Sequence, residues 1–128
     1  GTIFNTWPKM GDEWIPEAVI AMSPFWQNAF INLAGVQFIH RVLAILLAIC
    51  VVYLWISLRQ TNLDRLERKA LVVLMLVLVG QFTLGVFTLL YAVPLCLGVL
   101  HQAGAFVLFA AAVFLNFRFI VDTKPAIA

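Results

Sequence analysis

Charge is scarce in this sequence. Lys, Arg, Asp and Glu together make up 11% of its 128 residues, against about 25% in soluble domains. With 64% hydrophobic residues and a mean hydropathy of +1.04, the deficit excludes an ordinary soluble domain and points to an integral membrane protein. The net charge of +2 is small and scattered, which excludes a nucleic-acid binder. Cysteine is limited to Cys50 and Cys96, both in apolar runs. Their depths differ by most of a bilayer, so no disulfide joins them, and they read as small packing residues. Proline is also sparse, with five in all, as suits lipid-facing helices. The sequence has no Gly-rich phosphate loop, no Ser/His/Asp set and no paired carboxylate within a span. It begins at Gly1 without an initiator Met or the basic start of a signal peptide, and is expected to be a fragment of a longer protein.

What it does have is three long apolar runs. Residues 1–23 precede them as a mixed stretch in which Trp7 and Trp14 alternate with charge and Pro8, Gly11 and Pro16 interrupt any helix. They are expected to form an outer loop, periplasmic or facing an intermembrane space. Ser23-Pro24 reads as a helix start, giving a transmembrane bundle over 24–121 with spans at about 24–58, 70–92 and 95–117. The cluster Arg59 to Lys69 reads as the connection between the first two spans, and Pro94 marks a tight turn before the third. The basic excess in that cluster, repeated at Arg118 and Lys124 in an inner tail over 118–128, places these ends inside. The fold class expected is all-α and integral to the membrane, with three transmembrane helices forming most of a four-helix bundle.

Inside these runs stand two lone histidines. His40 lies seven residues past Leu33, and His101 six past Leu95. The first and third spans run in the same direction, so both imidazoles fall at one depth, roughly 10 Å below the outer surface. Two facing imidazoles on a helix bundle suit the axial positions of haem iron. Zinc would want three or four protein ligands, and the spans offer no further Cys or His at that level. Gly98, Gly104 and Ala105 share the face of His101, and Ala44 lies one turn from His40. Small residues there leave room for a macrocycle, or simply allow close helix packing. Arg41 is a costly charge at that depth and is expected to meet a haem propionate or another carboxylate. Gln81, Gly85 and Thr88 share a face of the second span, as a packed seam or as support for the histidine site.

Four stretches carry a family resemblance. They are Phe4-Asn5-Thr6-Trp7-Pro8-Lys9-Met10, Gln37-Phe38-Ile39-His40-Arg41, Gln81-Phe82-Thr83-Leu84-Gly85 with Thr88, and Leu100-His101-Gln102. In order and spacing they resemble the haem A synthase family of cytochrome oxidase assembly proteins. The resemblance implies eight spans in two similar four-helix halves, each with a histidine pair, and oxidation of a haem O ring methyl to the formyl of haem A. It implies a substrate-holding half with a Glu three residues before its histidine. Here that position is Gln37, so the chain resembles the C-terminal half, which holds a b-type haem and passes electrons.

On this reading His40 and His101 are the axial ligands of haem b, Arg41 a propionate contact, and Gln37, Gln81 and Gln102 supporting residues. No catalytic residue is expected in the fragment, and the fragment alone is expected to be inactive. The partners implied are the missing N-terminal half, the lipid bilayer, haem O and haem A, and an electron donor; nucleic acid is not among them. The location implied is the bacterial plasma membrane or the mitochondrial inner membrane, with the histidine pair toward the outer side. Two other readings remain open from the residues alone: a stand-alone bis-histidine b-type cytochrome subunit, and a haem-free assembly segment in which the histidines bridge helices.

Overall fold

In the computed structural model, which describes residues 4–122, the three apolar runs form α1 (Leu33–Leu58), α2 (Arg65–Leu90) and α3 (Leu95–Asp122). Each is long and apolar enough to cross a membrane, and among the described residues there is no strand. The chain is thus an all-α membrane protein. Residues 1–3 of the expected outer loop, and Lys124 with the rest of 123–128 in the expected inner tail, lie outside the described residues.

The first helix starts later than Ser23-Pro24 suggests. Pro24 is extended (φ −69°, ψ 153°), and residues Phe25–Ala29 form a short 3-10 turn, as do Glu17–Ile20. Two buried asparagines explain the shift. The Asn28 side chain accepts from the Met22 N–H and donates to the Met22 and Phe25 carbonyls, each at 2.9 Å. These bonds hold the chain in a turn where a helix would otherwise continue. Asn32 then caps α1 by accepting from the Ala34 N–H at 3.0 Å, and donates to the Ala18 carbonyl at 2.7 Å and to Asn28 Oδ1 at 2.8 Å.

The second helix starts earlier than expected, so Arg65 to Lys69 form its first turn and the connection shrinks to residues 59–64. Asp64 and Glu67 form a reciprocal capping box, with Asp64 Oδ1 accepting from the Glu67 N–H at 2.6 Å and Glu67 Oε2 from the Asp64 N–H at 2.9 Å. That backbone bond, reinforced by Arg118, holds the Asp64 carboxyl below its usual pKa. The third helix runs past Phe117 to Asp122, and Arg118 in its last turns pairs with Asp64 at 2.8 Å. The α2–α3 link is a tight turn in which Ala92 and Val93 adopt positive φ (58° and 59°), and the Val93 N–H donates to the Thr88 carbonyl at 2.8 Å.

α2 and α3 pack as antiparallel neighbours. Leu71, Leu74 and Leu78, at helical spacing on one face, meet Leu108 and Leu115, and α1 contributes Val51. This core lies toward the charged end. α1 touches α2 more sparsely, and no Cα of α1 comes within 8 Å of a Cα of α3. At the other end Met10, Val19 and Ala34 form a second small cluster with Phe4 and Phe38, seating the N-terminal segment on the first turns of α1. The outward faces of the helices are apolar, with Leu95, Phe106 and Phe109 among the most exposed, the surface that hydrocarbon accepts.

Candidate functional site

The separation of α1 from α3 matters because each carries one histidine. His40 and His101 face each other across that gap with ring centroids 6.3 Å apart and planes inclined by 78°. His40 is exposed and His101 half-buried. His101 Nδ1 is buried without a hydrogen-bond partner. Among the described residues no group of three His, Cys, Asp or Glu side chains comes together.

α2 supports the pair from the side of His101. A Cβ built on Gly85 would lie 2.8 Å from His101 Cε1 and 3.4 Å from Nδ1, so the imidazole rests directly on the glycine backbone. One turn away, Gln81 Nε2 donates to the His101 carbonyl at 2.9 Å, tying α2 to α3 at His101 itself. Gln81 Oε1 is buried without a donor and packs over Gly104, where any larger residue would overlap it. Thr88 Oγ1 donates to the Leu84 carbonyl at 2.7 Å and lies 3.3 Å from the Leu97 carbonyl, closing the seam near the turn. The polar face expected from Gln81, Gly85 and Thr88 therefore forms the α2–α3 seam and reaches His101. Gln102 is exposed, and the support at this level comes from Gln81.

The N-terminal segment borders the site from the side of His40. Gln37 holds Phe4 at both backbone groups: Nε2 donates to its carbonyl at 2.6 Å and Oε1 accepts from its N–H at 3.2 Å. Arg41 is 8% exposed. Its guanidinium donates to the carbonyls of Lys9 (3.0 Å), Phe4 (3.2 Å) and Pro8 (3.3 Å), while Nε has no partner. Trp7 lies 5.8 Å from Arg41 Cζ and packs edge-on against Phe82 of α2 at 5.7 Å. The structure gives Arg41 backbone carbonyls as partners, because Phe4 to Lys9 fold back onto α1. It gives Gln37 the same backbone to hold.

Sequence spacing brought His40 and His101 to one level and put Gln81, Gly85 and Thr88 on one face of the second span. It missed the contact of Gly85 with His101, although Gln81 four residues earlier marked the face. It also missed the docking of Phe4 to Lys9. The available signal was the pair of polar side chains Gln37 and Arg41 one turn apart, with no polar partner on their own helix.

The family model described as cytochrome oxidase assembly protein (COX15-CtaA) matches residues 1–113. A heme A synthase of Nitrosospira multiformis is 42% identical over 116 residues, which is 91% of this chain and 33% of that protein. A heme A synthase of Rhizobium etli is 46% identical over 114 residues, 88% of this chain and 31% of that protein. Heme A synthase COX15 of Mus musculus is 37% identical over 115 residues, 90% of this chain and 28% of that protein. The chain spans about a third of the length of these relatives. No solved structure matches it.

Proposed function

The chain belongs to the cytochrome oxidase assembly protein family, and from that premise we propose that it is the haem b-holding half of a haem A synthase, with His40 and His101 as axial ligands of one iron. The observation that carries this reading is the pair's geometry. Metal–nitrogen bonds of about 2 Å to two opposed imidazoles put the ring centroids on the order of 6 Å apart; here they are 6.3 Å apart. The absence of close α1–α3 backbone contact leaves the gap that a flat macrocycle needs.

Haem bound between two histidines exchanges single electrons and has no open iron position for oxygen chemistry. The chain's own residues then act by holding and orienting. Gly85 keeps the His101 ring at a fixed depth beside α2, and Gln81 locks the α3 backbone at the same residue. Gln37, at the position where the resemblance implies a glutamate in the substrate half, is occupied with the Phe4 backbone and is available for no proton transfer. Oxidation of the haem O methyl group is assigned to the rest of the full-length protein, with this half passing electrons to it. The charged end of α2 (Arg65, Arg68 and Lys69) favours the inner side of the membrane, which supports reading the histidine pair and residues 4–32 as lying toward the outer side.

The test is the cofactor content of the full-length protein purified from membranes. A pyridine haemochrome assay is expected to find haem b. Protein that is folded and carries no haem b would contradict the assignment.

A further inference from the structure

We infer that Arg41 is a positioning residue that fastens the N-terminal turn across the α1–α2 seam, so that Trp7 becomes a wall of the histidine site; the second half of this statement rests on the haem reading above. A buried guanidinium is costly unless its donors are met. Arg41 is 8% exposed and, among the described residues, meets no carboxylate. Three carbonyls of one turn, those of Phe4, Pro8 and Lys9, converge on it instead. Such convergence fixes the turn, since the planar fork orients each acceptor. Trp7, at the middle of that turn, is then held between the Arg41 guanidinium and the Phe82 ring. Phe82 is adjacent to Gln81, the residue bonded to the His101 carbonyl, and Arg41 is adjacent to His40. Trp7 therefore bridges α1 and α2 at the level of the histidine pair, where the two helices themselves pack sparsely. The apolar cluster of Met10, Val19, Ala34 and Phe4 and the Gln37 bonds to Phe4 anchor the segment on either side of Trp7, whereas the contacts beside Trp7 itself, to the Pro8 and Lys9 carbonyls and to its ring, come from Arg41.

Hydroxyl-radical footprinting of the full-length protein in nanodiscs, resolved by mass spectrometry, tests this without relying on haem. Trp14, 65% exposed, serves as the internal reference. In Arg41→Met the Trp7/Trp14 oxidation ratio is expected to rise about fivefold. Arg41→Lys, which keeps the charge but loses the fork, is expected to fall between. In the same samples the bis-histidine haem spectrum is expected to persist with shifted bands, and Trp7→Leu to produce a similar shift with Arg41 intact. An unchanged Trp7/Trp14 ratio in Arg41→Met would overturn the inference. So would loss of haem with Trp7 still protected, since Arg41 would then act on the haem itself. Haem-free wild-type protein would instead sink the haem reading, leaving the ratio to decide whether Arg41 seats the turn.

Discussion

Gly85→Ala is expected to lower haem affinity by on the order of ten- to a hundredfold, the equivalent of the roughly 1–3 kcal/mol that an overpacked site costs. The added Cβ would stand 2.8 Å from His101 Cε1, a separation carbon atoms do not tolerate, and the imidazole must shift away from α2, out of its present place opposite His40, to relieve it. Two opposing effects can be weighed. Replacing a mid-helix glycine by alanine favours the helix by about 1 kcal/mol, so α2 itself is not weakened. The loss appears where the ring is displaced. Gly80→Ala is the control, because a Cβ there meets nothing within 4 Å. It gains the same helix propensity and is expected to leave haem content unchanged. Titration of both purified variants with haem, followed at the Soret band, separates the two; equal affinities would show that the Gly85 contact does not govern the ligand.

The second large effect falls on the start of α1. Gly35→Ala is expected to destabilise the protein by about 1–3 kcal/mol or more. A Cβ at Gly35 would overlap the Asn28 carbonyl oxygen and lie 2.9 Å from its carbon and 3.1 Å from the Val19 carbonyl oxygen. All three atoms are backbone, and both segments are pinned by the Asn28 and Asn32 side chains. No rotamer change relieves the overlap, so the two 3-10 turns must move off the helix. Thermal unfolding of the full-length protein, with proteolysis of the segment before α1, checks this. A wild-type midpoint and wild-type resistance to proteolysis would contradict it.

The helices were legible in the sequence because uninterrupted apolar runs of span length have few alternatives in a membrane. Their ends were less so. Ser23-Pro24 is a good start signal by local chemistry, yet Asn28 and Asn32 override it through bonds to residues up to fourteen positions away, which no local pattern encodes. The α2 start was hidden by charge. Asp64-x-x-Glu67 is a capping box, but its neighbours Arg65, Arg68 and Lys69 make the same stretch look like a solvated loop. At the candidate site, depth along two parallel helices brought His40 opposite His101. Depth says nothing about rotation or about chain that folds back from outside the spans, so the partners of Arg41 and Gln37 came only with tertiary structure.

The central claim is that His40 and His101 share one iron. It is tested most directly by low-temperature electron paramagnetic resonance of the oxidised full-length protein and of its His40→Ala and His101→Ala variants. The wild type is expected to give a low-spin bis-imidazole signal from this pair, and each single variant to lose that component of the spectrum. A signal that persists unchanged in both variants would contradict the account.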